Sequence, residues 1–254
     1  MTDQRLDSLL VSKNLATSRT QAQKMIVAGQ VEMQQGSDWV VITKPSTKCN
    51  VLTQLRVAPG EEQKFASRAG LKLEYALQKM AINVNGNIAL DIGQATGGFT
   101  DCLLHYGATK VVGVDVGHDQ LLPRLKSDPR VICMEGFNAR NLQMDDVIHC
   151  VPNGFDVVVM DVAFISQTLI IPRISVLMHA ESKLISLVKP QFEVGPQGLA
   201  KGGIVKDDSL FNTVQNKITK ALINAGFIVE DYFPSPILGA DGNREFLLLA
   251  QIKN

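Results

Sequence analysis

The stretch NIALDIGQATGGFTD, residues 87–101, decides the reading of the fold. An apolar, β-prone run ends in Asp91 and Gly93, and Gly97–Gly98 then open an amphipathic segment, GGFTDCLLHYG. A strand that passes through a glycine turn into a helix begins a βα unit, and open α/β sheets bind ligands beyond the carboxyl ends of such strands. The spacing here is G-x-x-x-G-G, whereas dinucleotide enzymes use G-x-G-x-x-G and lay a pyrophosphate on the helix N-terminus. Asp91 at the strand end repels a pyrophosphate but suits an ammonium group. S-adenosylmethionine carries an ammonium and a sulfonium and no phosphate, so it is the expected cofactor, with a nicotinamide dinucleotide as the competing reading. The next strand, KVVGVDVG, ends in Asp115, 22 residues beyond Gly93, where an acidic side chain accepts hydrogen bonds from the ribose hydroxyls of an adenosine. Capping a helix or turn is the alternative use of either carboxylate.

Outward from this unit the alternation continues. The apolar runs RVICMEG, FDVVVMDV and KLISLVKPQFEVG read as strands, and TLIIPRISVLMHA and DSLFNTVQNKITKALINAG as helices. Continuous Val/Ile/Leu strands between amphipathic helices predict an α/β fold, a Rossmann-like sheet covered on both faces. FIVEDYF and REFLLLAQI, joined by SPILGADGN without a helix, predict an antiparallel pair at one end, so the sheet is parallel with one antiparallel end strand. A helix from about Arg68 to Met80, burying Leu73, Leu77 and Met80, precedes the first strand.

Residues 1–57 read as a separate small α+β module: two short helices within RLDSLLVSKNLATSRTQAQKMIVAGQ, with Thr17 or Ser18 as N-cap and Gly29 as stop, then the short strands QVEM, WVVI and VLTQLRV. Residues 58–66, with Pro59 and Gly60, are the expected linker, and 67–254 the larger domain.

Composition bounds the function. With 45% hydrophobic and 20% charged residues over 254 positions, disorder as the main state is excluded. The net charge is zero, yet residues 1–60 hold seven Lys and Arg against four Asp and Glu, or +3, leaving −3 for the rest. A basic small module suggests a polyanion as partner. The four cysteines form no C-x-x-C pair and have no His at ligand spacing, so neither a metal site nor a disulfide framework is expected. MTDQRLDSLL lacks the basic start and apolar run of a signal peptide, and no apolar run approaches 18 residues, so a cytoplasmic protein with no membrane partner is expected.

Charges that a core would not choose stand at three more strand ends: Asp161, Lys189 and Glu245, the last on a strand running antiparallel to the others and so starting at the same edge. Lys72, early in the preceding helix, is a fourth candidate. A buried ion-pair network is the alternative reading of these four. Beside a methyl donor they suggest methylation of a hydroxyl, which near neutral pH calls for a base at the attacking oxygen. Lys189 is the expected base, tuned by Lys72, with Asp161 and Glu245 orienting both lysines.

RLDSLLVSKNLATSR…AQKMIVAGQV, with Lys44–Pro45, resembles an S4 RNA-binding module. SRAGLKL, LDIGQATGGFTD, EGFNAR, MDVAFIS, LVKPQFEVG, KGGIVKD and SPILGADGNREFLL resemble an FtsJ-like methyltransferase domain. In that order, over nearly the whole chain, they are similar to the hemolysin A (TlyA) type ribosomal RNA 2′-O-methyltransferases. The resemblance implies transfer of a methyl group to ribose 2′-hydroxyls, cytidine being the family's nucleotide, in ribosomal RNA or ribosomal subunits. It also implies a Lys-Asp-Lys-Glu tetrad at Lys72, Asp161, Lys189 and Glu245. The cofactor set it implies is Asp91, Gly93, Thr96, Gly97, Gly98, Phe99, Asp115, Val116, Asn138 and Asp161. Gln94 and Ala95 depart from the family's Ala-Ser pair, and Phe137 from a small polar residue. Arg19, Lys24 and Lys44, with Arg5 and Lys13 in reserve, are the expected phosphate donors of the small module, and Arg68, Lys201 and Lys206 are expected to continue a basic track past the active site. Trp39 is expected to anchor the hairpin onto the helices. A vestigial fold that only binds RNA and a pore-forming cytolysin are the alternatives; the oligomeric state is left open.

Overall fold

The computed structural model describes all residues except 1–2, 17, 28, 58–63, 240–241 and 254. The chain divides into two compact units, Met1–Lys64 and Phe65–Asn254.

In the first unit β1 (Asp3–Arg5) runs into α1 (Leu6–Ser12), followed by α2 (Arg19–Val27), β2 (Val31–Gln35), β3 (Asp38–Val41), β4 (Lys48–Asn50) and β5 (Leu55–Val57). Strands β3, β2 and β5 form an antiparallel sheet in that order, and β1 pairs antiparallel with β4. The helices bury Leu6, Leu9 and Leu10 from α1 and Ala22, Met25 and Ile26 from α2, the faces that the helical period selects. Ser18 Oγ accepts the Gln21 N–H at 3.2 Å and so starts α2; Thr17 lies outside the described residues. Trp39 does not anchor the helices as expected. It is half-buried under the Arg56 guanidinium, 4.4 Å from the ring centre, and Arg56 also pairs with Glu32.

A carboxylate sits inside this unit: Asp7 is 0% exposed. Arg5 Nε and Nη2 donate to its two oxygens at 3.1 and 2.9 Å, Arg19 Nη2 donates at 3.2 Å and Gln23 Nε2 at 2.8 Å. Arg5 above all holds Asp7 well below the usual carboxylate range.

The second unit opens with α3 (Arg68–Lys79), then alternates β6 (Ile88–Ile92), α4 (Gly98–His105), β7 (Lys110–Asp115), α5 (Pro123–Lys126), β8 (Val131–Glu135), α6 (Met144–Val147), β9 (Phe155–Met160), α7 (Ile171–Ile174), β10 (Met178–Val188), α8 (Ser209–Asn224), β11 (Phe227–Pro234) and β12 (Phe246–Ile252). The sheet order is β11-β12-β10-β9-β6-β7-β8. Neighbours from β10 to β8 pair in parallel, while β12 runs antiparallel between β10 and β11. The reversed strand therefore lies one place in from the edge, and β11 is the edge itself. Within each central strand the side chains alternate between two cores: Leu90, Ile92, Val158 and Met160 enter one, Ala89, Val157, Val159 and Leu187 the other. TLIIPRISVLMHA is not one helix. Pro172 falls at the start of the single turn α7, short 3-10 turns flank it, and Met178–Ala180 already belong to β10.

Of the expected linker, residues 58–63 lie outside the described residues; Phe65 is buried in the second unit's core and the Ala66 N–H donates to Asp101 at 2.7 Å. Among the described residues no helix is long and apolar enough to cross a membrane.

Asp7 has a depressed folded-state pKa, so its stabilisation is complete above the ordinary carboxylate value near pH 4 and is lost as the pH falls from there toward the folded value. Asp7→Asn is expected to lower the stability of the full chain by about 2 kcal/mol at pH 7 in urea denaturation, and by clearly less at pH 3.

Candidate active site

The carboxyl ends of β6, β7, β9 and β10 bring Gly93, Asp115, Asp161 and Lys189 around one cavity of about 420 Å³. Asp161 follows β9 directly, and its N–H donates to Ile92 O at 2.9 Å, so the end of β9 is laced to the end of β6. Gly93 crosses this point with φ 85°, and a Cβ there would lie 2.4 Å from the Asp161 carbonyl oxygen. Only glycine fits such an approach in that conformation. Thr96, Gly98, Phe99, Val116 and Asn138 also line the cavity. Gly97 does not; it caps α4 with φ 93°.

Asp91 lies behind the cavity wall, 0% exposed. Thr100 Oγ1 donates to Asp91 Oδ2 at 2.7 Å and accepts from Gln94 Nε2 at 2.9 Å. Asp91 Oδ1 is buried without a hydrogen-bond partner among the described residues. Burial pushes Asp91 up to about 7, and the charges of Asp161 and Asp115 add to the effect. Gln94 takes up the space over Gly113, where an added Cβ would lie 1.9 Å from Gln94 Cδ. Asp115 performs the capping anticipated as its alternative use: its oxygens accept the Ala95 N–H at 2.8 Å and the Gly117 N–H at 2.7 Å. It nonetheless faces the cavity half-buried, and each carboxylate oxygen retains a second acceptor position.

The four charged residues arrive as two ion pairs. Lys189 Nζ lies 2.6 Å from Asp161 Oδ1, and Lys72 Nζ 2.5 Å from Glu245 Oε2. The ladder explains the meeting: Val188 of β10 pairs with Phe246 of β12, so Lys189 and Glu245 are the next residues at the same edge. Lys72, from α3, and Glu245 are both buried, at 8% and 4% exposed. Lys189 and Asp161 face the cavity; Lys72 and Glu245 do not line it.

Among the expected phosphate donors, Lys24, Lys44 and Arg68 are exposed. Arg5 and Arg19 are half-exposed but engaged with Asp7. Sequence reasoning missed Phe164. It is 92% exposed, holds φ 62°, lines the cavity and packs against Phe192 with ring centres 5.1 Å apart. Within MDVAFIS it reads as an apolar strand continuation, so no sequence signal marks it.

The profile of the FtsJ-like methyltransferases matches residues 65–252, and that of the S4 domain residues 4–51. The chain belongs to the FtsJ-like methyltransferase family. Its cofactor is S-adenosylmethionine, and the site fits that cation: an enclosed acceptor without a partner at Asp91, a carboxylate wall at Asp115 and a cavity of about 420 Å³. The chain is 40% identical to "Hemolysin A" of Brachyspira hyodysenteriae over 96% of its length and 98% of that protein. It is 37% identical to the "16S/23S rRNA (cytidine-2'-O)-methyltransferase TlyA" of Mycobacterium tuberculosis (strain ATCC 25618 / H37Rv), over 96% of this chain and 88% of that one. A solved chain from Streptococcus thermophilus superposes with a TM-score of 0.74 at 36% identity, covering 100% of this FtsJ-like chain and 90% of the other.

With Asp91 titrating at about 7, its negative charge is present above that pH and absent below it. Calorimetric affinity for S-adenosylmethionine is expected to rise between pH 6 and pH 8, and Asp91→Asn to bind more weakly with that rise abolished.

Proposed function

We propose that this enzyme methylates ribose 2′-hydroxyls of ribosomal RNA, with cytidine as the nucleotide, in the cytoplasm. The observation that carries the reading is the Lys189–Asp161 pair at the wall of the donor cavity, with Lys72–Glu245 at the same sheet edge. The TlyA relative, named for cytidine 2′-O-methylation of 16S and 23S rRNA, supports the choice of acceptor.

Bound S-adenosylmethionine supplies an electrophilic methyl group. Lys189 Nζ, as the free amine, takes the proton of the 2′-hydroxyl while that oxygen attacks. Asp161 holds Lys189 at 2.6 Å and so aims the amine into the cavity. Lys72 and Glu245 neutralise each other in a buried setting at the same sheet edge, outside the cavity lining. Asp115 and Asn138 face the nucleoside part of the donor cavity, and Gly93, Thr96, Gly98, Phe99 and Val116 shape it. The exposed face of Phe164, backed by Phe192, offers a stacking surface for an unpaired base of the acceptor.

Residues 1–57 serve as the RNA-holding domain, 58–66 as the connection and 67–254 as the catalytic domain. Lys24 and Lys44 are the phosphate donors to test, together with Arg68. Arg19 is a poor choice for charge reversal, because a glutamate there would face the enclosed Asp7.

Transfer of a labelled methyl group to RNA from purified small and large ribosomal subunits is the deciding experiment. Lys189→Ala is expected to reduce incorporation by about 100-fold or more with donor binding retained; retained incorporation would remove Lys189 as base. The double variant Lys24→Glu, Lys44→Glu is expected to weaken RNA binding at least about tenfold, most strongly at low salt, with donor affinity unchanged.

A further inference from the structure

Behind the reaction zone lies a second buried acid that the proposed chemistry does not use. The Glu193 side chain is 1% exposed and directly follows the single 3-10 turn Pro190–Phe192 that Lys189 opens. It accepts the Ser166 hydroxyl at 2.6 Å, the Gln167 N–H at 2.8 Å and the Lys217 ammonium, from α8, at 2.8 Å. Lys217 also donates to the Glu193 carbonyl oxygen at 2.9 Å. Gln167 continues the network toward β10: its amide N–H donates to Leu187 O at 2.8 Å, and its amide oxygen accepts the Ser186 hydroxyl at 2.7 Å.

Apart from those of Lys217 on α8, these bonds join two segments. One runs from Asp161 through Phe164 to Gln167; the other runs from Ser186 through Lys189 and Phe192 to Glu193. Each carries one member of the Lys189–Asp161 pair and one ring of the Phe164–Phe192 pair. The first segment is tied at its start by the Asp161 N–H to Ile92 O, and at its far end by Glu193. Phe164, with its left-handed backbone, lies between the two ties. A surface loop needs no enclosed, triply bonded carboxylate to close it, and burying one is costly unless every oxygen is satisfied.

We infer that Glu193 is a positioning residue for methyl transfer: it fixes the loop carrying Asp161 and Phe164 against the turn carrying Lys189 and Phe192, without touching substrate. The inference rests on the reading of Lys189 as base. Misplacing reacting groups by about 1 Å costs on the order of 100-fold in rate while leaving donor binding elsewhere in the cavity intact.

The test is single-turnover methyl transfer to RNA from purified ribosomal subunits by the full-length protein, with calorimetric donor affinity and the urea midpoint measured alongside. Glu193→Ala is expected to lower the rate about 100-fold, with the KM and dissociation constant for S-adenosylmethionine changed less than about threefold. Glu193→Gln, whose amide oxygen still accepts from Gln167, is expected to recover most of the rate. An unchanged rate in Glu193→Ala overturns the inference, and so does a loss that tracks donor affinity and the urea midpoint in all variants. If Glu193→Ala does not fold, Ser166→Ala decides: it removes the half-buried hydroxyl's bond to Glu193 together with its two bonds to Thr168, and a rate equal to that of the unaltered protein overturns the inference. Lys189→Ala in the same assay separates the two readings: activity retained there means the base is misassigned, whereas activity lost there but kept in Glu193→Ala means only the positioning role fails.

Discussion

Gly93 passes so close to Asp161 that an added Cβ would lie 2.4 Å from its carbonyl oxygen, and the rest of the site depends on that approach. Ile92 and Met160 are paired in the parallel ladder, and one residue further the two chains turn across each other where no side chain fits. The glycine loop that floors the donor cavity and the Asp161 backbone are thereby one rigid piece. A donor seated on that loop is placed relative to Asp161, and through it relative to Lys189, by backbone sterics and not by flexible side chains. The same geometry explains why the glycine spacing departs from dinucleotide sheets: here the first glycine makes room for a neighbouring strand end.

Electrostatics around that piece is arranged for a cation. Asp91, Asp115 and Asp161 gather at adjacent strand ends, and Lys189 is the one basic side chain among the cavity-lining residues described. Lys72 and Glu245 contribute no net charge, being closed on each other away from the cavity. A positively charged donor therefore meets a wall with a surplus of carboxylate, strongest where Asp91 is ionised.

Much of this was legible in the sequence because charge inside an apolar strand pattern is conspicuous. Asp91, Asp161 and Lys189 end runs of Val, Ile and Leu, and the antiparallel direction of the last strand put Glu245 at the same edge. Which lysine meets which carboxylate was not legible, since Lys72 and Glu245 are 173 residues apart and only the packing of α3 on the sheet joins them. Strands β1 and β4, three residues each, are too short to display alternation. The stretch 168–180 has helical spacing of apolar residues, but Pro172 and the pairing of Met178 with Phe155 break it into turns and a strand start. Arg5 and Arg19 read as solvent-facing cations because nothing local reveals that Asp7, on α1's inner face, is enclosed. Glu193 escaped notice for the same reason: its three donors come from β9's following loop and from α8, elements whose meeting is tertiary.

Three of the buried carboxylates, Asp7, Glu193 and Asp91, are treated differently and mark the boundary between architecture and chemistry. Asp7 is surrounded by two guanidiniums and an amide, and Glu193 by an ammonium, a hydroxyl and a backbone N–H. Both are compensated from within, by donors of the protein itself on their oxygens. Asp91 takes its donors from Thr100, and its Oδ1 is buried without a hydrogen-bond partner among the described residues. A fold selected for stability alone would supply that missing donor, because an unsatisfied buried acceptor costs about 1–3 kcal/mol. Its persistence at the end of the central strand, one residue before the cavity begins, is what a site built around a cationic ligand requires: the compensation is left for the ligand to bring.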